Sequence, residues 1–449
     1  MKAVPEFGLA LLKPQGAPSG KIETFIEVPL KVGDKAVRPD GVISVSRGAK
    51  TWGAILEVKT GSNPMLADQI NLYLDLAREL EFDAVLSISN QFSTAAREYP
   101  VDIDRRKLKK TSLKHWSWVD VLTEAIVQKE FRGVSDPDQA YMLGELIRYL
   151  SDPRSGAVAF EGMGPSWTAV RDGARNGTLR KPDPALTAVA ARWDDLVRYV
   201  ALSLTSDLGR EVRQVLAVSE RKPSDRREAL VDSLATGGVL YAELRIPDVA
   251  GLLHLQADLR SRQVSASTTL DAPKEGTAKG RVSWLLRQLQ KAPDVAVVES
   301  RIGRRGQSPA APLRVARDDP SSLYPERGDI RAFRVSLTTN MGLKRDDGRG
   351  SFVRSVLDTV EGFYVDVLQN VRAWKAPPPK LKRTAEEEKV VQTVADLVGV
   401  EPTDVAAEVI QDVADADSSP DYVETVPAPA PELDAKASSA DSPSDGTPT

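Results

Sequence analysis

Near the N-terminus, residues 22–32, 37–47, 51–60 and 83–89 are short runs rich in Val, Ile and Leu, and they read as four strands. Turn residues separate the first three, at Gly33-Asp34-Lys35 and at Arg47-Gly48-Ala49-Lys50. Between the third and fourth, Met65–Leu80 changes period: Leu66, Ile70, Tyr73, Leu74, Ala77 and Leu80 recur every three or four residues. That spacing predicts a helix with one apolar stripe laid on a sheet. A helix joining two strands implies a mixed α/β sheet. A further strand from Ser112 to Trp118 and a helix through Ile126 would complete this unit.

Residues 136–205 read as mainly helical, interrupted by a Gly- and Pro-marked patch at 152–183. The pattern then changes again. Strands are predicted at 238–246, 252–270, 294–301 and 331–339, with helices at 280–291 and 350–372, which is an α+β arrangement. From Ala376 the chain opens with three consecutive prolines after that residue, holds two weak helical patterns between Glu386 and Ala414, and ends in an Ala, Pro, Ser and Asp mixture. Such a segment buries too little apolar surface to fold alone. The expected organisation is therefore a first domain at 1–135, a helical and loop-rich connector at 136–189, an α+β domain at 190–375, and a largely disordered acidic tail at 376–449.

Composition narrows the chemistry. A chain of 449 residues exceeds what one core usually supports, and 41% hydrophobic with 28% charged residues is an ordinary globular balance. No run is long or apolar enough for a membrane span, and the first thirteen residues lack the length and cleavage pattern of a signal peptide. A cytoplasmic location is the resulting expectation. The absence of cysteine excludes disulfides, zinc ribbons and cysteine-held clusters, and His115 and His254 are the only imidazoles. Any bound metal would thus be held by oxygen, which favours Mg²⁺, Mn²⁺ or Ca²⁺ over zinc or copper. Five basic against sixteen acidic residues give 376–449 a charge of −11, so residues 1–375 carry +7 of the overall −4. A basic body suits a polyanionic partner.

Two acidic residues interrupt the apolar runs. Asp40 stands in Arg38-Pro39-Asp40-Gly41-Val42-Ile43, and Glu57 in Ala54-Ile55-Leu56-Glu57-Val58-Lys59. A Pro-Asp pair alone means little, since Pro137-Asp138 and Pro182-Asp183 also occur, and Glu387-Glu388-Lys389 repeats the Glu-x-Lys spacing. Only Asp40 and Glu57 fall on adjacent predicted strands among aliphatic residues. A charge at such a position needs a partner, and a divalent cation held by Asp40, Glu57 and the Val58 carbonyl is one. Lys59 shares a strand face with Glu57 because side chains repeat every second residue. Its ammonium is placed to steer a water or to stabilise a phosphorane. Gln69 and Tyr73, four apart on the helix, share a face. Gln69 is read as orienting Lys59 or a phosphate oxygen; Tyr73 has two readings, the same role or a core aromatic.

Pro39-Asp40, Glu57-Val58-Lys59 and Gln69-Ile70-Asn71-Leu72-Tyr73 together resemble the PD-(D/E)XK nuclease superfamily, the last string resembling the Q-x-x-x-Y motif of its RecB-type branch. The resemblance covers roughly residues 20–130. It implies a restriction-endonuclease-like mixed sheet flanked by helices, with Asp40, Glu57 and Lys59 meeting at its end, and Mg²⁺-dependent hydrolysis of DNA. It also implies a third acid upstream, for which Glu27 is preferred over Glu23; both have a solvent-facing strand reading. Departures are the missing cysteines for an iron-sulfur staple, the missing G-x-x-x-x-G-K-[ST] motor loop, and no histidine upstream of the motif.

Arg105, Arg106, Lys107, Lys109 and Lys110 suit a nucleic-acid backbone or a solvated loop, and Trp116 and Trp118 suit base stacking or, preferably, the core. Arg301, Arg304 and Arg305 form a smaller basic group. The competing reading of the whole chain is a non-catalytic nuclease-like fold that binds or regulates in stress response or genome defence. In either case the 190–375 domain or the tail is the expected contact for a protein partner.

Overall fold

The computed structural model describes residues 1–375 apart from 33, 34, 62, 94–98, 158, 159, 161, 304–306 and 345–347. The expected disordered tail at 376–449, the Gly33-Asp34 turn and Arg304 with Arg305 lie outside the described residues. Met1–Ala376 forms a compact unit built on two main sheets.

The first sheet follows a helix α1 (Pro5–Leu12) that the apolar pattern did not predict. Its strands are β1 (Lys21–Ile26), β4 (Gly41–Arg47), β5 (Lys50–Val58), β6 (Ala84–Ser89) and β7 (Ser112–Ser117), hydrogen-bonded in the order β1-β4-β5-β6-β7. β1, β4 and β5 run antiparallel, whereas β5, β6 and β7 are parallel. The β4–β5 turn needs a positive φ at its first central residue, and Gly48 takes it at +60°. Helix α2 (Ala67–Glu79) makes the crossover from β5 to β6.

Two of the expected strands are each divided. The 22–32 run breaks at Glu27, which has a φ of +49°, and the 37–47 run pairs with the sheet only from Gly41. Pro29 and Pro39 explain this, because neither can donate a ladder hydrogen bond. The residues between form a small hairpin of β2 (Leu30–Val32) and β3 (Lys35–Val37). Asp40 consequently precedes its strand instead of lying within it.

The sheet is covered on both faces. On one, Ile55, Val85 and Leu113 pack with Ile70, Tyr73, Leu74 and Ala77 of α2. On the other, Ile43, Trp52, Ala54, Leu86 and Trp116 pack with α1, with α3 (Trp118–Ile126) and with α4 (Pro137–Ser151), whose Leu143 and Leu150 belong to this core. β6 is buried at all six positions, which explains why its sequence does not alternate and why its polar residues, Ser87 and Ser89, are small. The 152–183 patch is less loop-like than expected, since α5 (Trp167–Asn176) forms within it. Helix α6 (Pro184–Leu208) follows, buries Trp193 in the second core and contacts α3.

The second sheet has seven strands, all pairs antiparallel. It contains β8 (Arg213–Val215), β9 (Val239–Arg245), β10 (Leu253–Asp258), β11 (Gln263–Asp271), β12 (Val297–Ile302), β13 (Ala310–Pro312) and β14 (Ile330–Asn340). The run expected as one strand at 252–270 is the β10–β11 hairpin, reversed where Arg262 has a φ of +56°. Helices α7 (Pro223–Gly237), α8 (Ala278–Gln288) and α10 (Phe352–Asp366) contribute to the core with α6. The short helix α9 (Leu313–Asp318) follows β13. The last predicted helix, 350–372, is shorter than expected because it ends at Asp366. No helix among the described residues is long and apolar enough to cross a membrane.

Candidate active site

The parallel strands β5, β6 and β7 end together, and their register places Glu57 opposite Ser87 and Ser87 opposite His115. Because Gly41 pairs with Leu56, Asp40 stands next to Glu57 at the start of β4. The result is a row, Asp40-Glu57-Ser87-His115, crossing four strands. Glu57 lies on the α2 side with Ile55, two residues before it.

Glu57 is buried, at 1% exposure, with Oε1 paired to the Lys59 ammonium and Oε2 buried without a hydrogen bond. An unsatisfied carboxylate oxygen in the interior is costly. Burial pushes the Glu57 carboxyl above its ordinary value; Lys59 pulls it back, and Asp40 adds to the rise. The Tyr73 hydroxyl is close enough to influence Glu57 and to be influenced by it, yet it makes no well-formed hydrogen bond to Oε2. Lys59 is 25% exposed and forms the outer side of the pair.

Asp40 is exposed, and its Oδ2 accepts from the Val58 N–H at 2.7 Å. This contact ties Asp40 to the residue after Glu57. The Lys59 N–H bonds Ile88 on the β6 side, so Val58 turns its backbone polar groups the other way, toward Asp40. The carbonyl named in the sequence reading is thus on the Asp40 side. Glu27 is close only through its backbone, whose N–H donates to the Asp40 carbonyl at 3.1 Å. Its carboxylate accepts from Arg38 at 2.6 Å, 63% exposed, while Glu23 pairs with Lys21. Neither acid is drawn into the Glu57 pair. Among the described residues no group of three or more His, Asp or Glu side chains is arranged to hold a metal ion.

Gln69 does not meet Lys59. Its Nε2 donates to the Tyr73 hydroxyl at 3.1 Å. Tyr73 is 3% exposed in the α2 core, and burial pushes its hydroxyl up to about 12, so it stays protonated. It is therefore a core aromatic whose polar end reaches the Glu57 site.

His115 and Ser87 are absent from the sequence-predicted set. His115 Nε2 donates to the Gln91 carbonyl at 2.8 Å, leaving Nδ1 to accept from the Ser87 hydroxyl at 2.9 Å. Burial lowers the imidazole below its ordinary value, and it is neutral in this arrangement. The signal that joins them to Glu57 is strand register, which local spacing does not carry.

Trp116 is buried in the core, and Trp118 donates its indole N–H to the Lys59 carbonyl at 2.9 Å, so the tryptophans take their structural reading. The basic run forms a short 3₁₀ turn from Arg105 to Lys109. Lys107 is spent on Asp75 and the Asn71 carbonyl of α2, and Arg106 on Asp104. Arg105, Lys109 and Lys110 remain exposed beside α2, with no ion pair to a described residue. α2 covers the face that carries Glu57, while the basic run leads into Ser112, at the end of β7 away from His115.

A hard cation would have to draw on three oxygens at this corner of the sheet. Glu57 has one buried oxygen without a partner, Asp40 has one oxygen outside its bond to Val58, and the Val58 carbonyl lies on the same side. No protein-family model, no curated protein and no solved structure matches this chain.

Proposed function

We propose that the protein is a metal-dependent nuclease hydrolysing DNA phosphodiester bonds, of the PD-(D/E)XK type in its first 135 residues. The observation that carries the reading is the buried Glu57 carboxylate, with Lys59 on one oxygen, no well-formed hydrogen bond on the other, and Asp40 close enough to act on its charge. Asp40, Glu57 and the Val58 carbonyl would hold Mg²⁺ or Mn²⁺, which when bound lowers the pKa of a water and offsets phosphate charge. Lys59 is the cation nearest the acidic pair and is partly solvent-facing, suited to a phosphate oxygen as charge builds on it. Gln69 fixes the Tyr73 hydroxyl, which remains a neutral donor beside Glu57. Arg105, Lys109 and Lys110, beside α2, would add backbone attraction away from the reacting bond. A cytoplasmic location accords with a cysteine-free chain, and the second sheet is the proposed targeting or assembly element.

One observation favours the second reading, a non-catalytic binding or regulatory module. Glu57 is closed to solvent, with Lys59 on its outer oxygen, as in a site that waits for a partner or lacks turnover. Plasmid and linear DNA incubated with Mg²⁺ or Mn²⁺ separate the two. Wild type should cleave, and Asp40→Ala, Glu57→Gln and Lys59→Ala should each lose about 100-fold or more. Calorimetric titration with Mn²⁺ should show a site that Asp40→Ala abolishes. Metal binding without cleavage supports the regulatory module; neither binding nor cleavage ends both uses of the acids.

A further inference from the structure

The alternation that buries one face of the seven-stranded sheet sends polar side chains to the other. Leu240, Leu255, Ala266, Val335 and Val298 belong to the core, while Glu243, His254, Ser267 and Arg334 lie one residue out of phase or in register with such positions on the opposite face. A cavity of 280 Å³ opens there. Its polar lining includes His254, Gln256, Ser267, Thr269, Arg301 and Arg334.

Arg334 is the unusual member. Its register partners are Thr269 on β11 and Glu299 on β12, so a carboxylate stands directly across from it. Yet Glu299 lies 3.6 Å from Arg301, and Arg334 forms no ion pair with a described residue. Its guanidinium is held through Nε and Nη2 by the Ser267 hydroxyl, at 3.3 and 3.1 Å. Nη1 has no protein acceptor among the described residues. Glu299 is not part of the cavity lining, and the acid that is, Glu243, is occupied by His254 Nδ1 at 3.0 Å. A half-buried guanidinium oriented by a neutral hydroxyl, with a second arginine and Thr269 on the same wall, is built to receive an oxyanion.

We propose that this cleft binds a phosphate group, with Arg334 as its fixed donor and Arg301 as its second. The volume exceeds that of a bare phosphate, leaving room for an attached sugar. The proposal stands independently of the nuclease reading, because the cleft is on the other sheet and uses none of the acidic residues. Two sources share this chemistry, a free phosphorylated small molecule and a nucleic-acid backbone.

The test uses the full chain with chelator present, so that divalent metal contributes nothing. Inorganic phosphate, adenosine monophosphate and a short single-stranded oligonucleotide are titrated by calorimetry or ligand-observed NMR. Wild type should bind phosphate, and Arg334→Met should weaken it about tenfold or more, the loss of one charge-assisted contact. Glu299→Gln should strengthen binding about threefold by removing the competing carboxylate. If Arg334→Met melts early, Arg301→Met and Glu299→Gln carry the test. An Arg334-dependent effect on the mononucleotide alone assigns a small ligand, and one on the oligonucleotide assigns the backbone. Absence of phosphate binding by wild type, or equal binding by all folded variants, overturns the proposal.

Discussion

His115 shows how one residue can be structural and still bear on the site. It is 2% exposed, donates from Nε2 to Gln91 and accepts from Ser87, whose strand neighbour is Glu57. Burial holds its pKa below the ordinary 6.5, so near that pH the unfolded chain takes up a proton that the folded chain refuses. Stability should therefore fall as the pH drops from about 6.5 toward the folded value, at most about 1.4 kcal/mol per pH unit for one proton. Urea unfolding at a series of pH values should show this slope in wild type and a shallower one in His115→Gln. Equal slopes would mean that the imidazole already accepts a proton when folded. Glu57 and Lys59 were legible from the chain because two residues on one strand share a face. Ser87 and His115 were not, since their place beside Glu57 depends on the pairing of three strands whose segments lie far apart in sequence.

At the scale of elements, α3 links the site to the rest of the molecule. Ser117 and Asp120 form a reciprocal cap at its N-terminus, and Arg198 of α6 reaches Asp120 at 2.5 Å. Burial alone would raise the Asp120 carboxyl, but Arg198 and Ser117 outweigh it and hold it below its ordinary value. Trp118, the first residue of α3, donates to the Lys59 carbonyl. Arg198→Leu should destabilise by about 2 kcal/mol, discounted from a fully buried pair because the arginine is partly exposed. Combined with Asp120→Asn, the two losses should fall short of additivity by about 1 kcal/mol, measured by a double-mutant cycle in urea. Additive losses would show that the pair contributes through separate contacts. The middle of the α2 stripe was visible in advance, as Ile70, Tyr73, Leu74 and Ala77 are all buried, whereas Leu66 and Leu80, which flank the helix, are exposed. Helix α7 was not, because Arg226, Leu230 and Leu234 are its only fully buried residues. Arg226, in its first turn, serves Asp194, Glu220 and the Tyr241 carbonyl, polar work that hides an inward face from any hydrophobic pattern.

Across the whole molecule the two sheets share supporting elements. Leu143 and Leu150 of α4 complete the first core, Phe92 from the β6–β7 connection joins the second, and the Asn90 side chain bonds both Gly61 and Gly156. A fragment of residues 1–135 would lose α4 and α6 from its surface, exposing the apolar side of α3. It should melt at least about 10 °C below a 1–376 fragment in a thermal scan, the loss of two buried leucines being enough. An equal midpoint would establish that the first sheet folds without those helices. Local periodicity and turn chemistry already dictated most strands, the α2 crossover and the Glu57-Lys59 face, because each rests on neighbours within one element. Which acids converge, which histidine backs them, and where an arginine is left without its carboxylate were settled only by long-range register and packing. Those contacts join residues tens of positions apart, and their energies depend on burial that no short window of sequence contains.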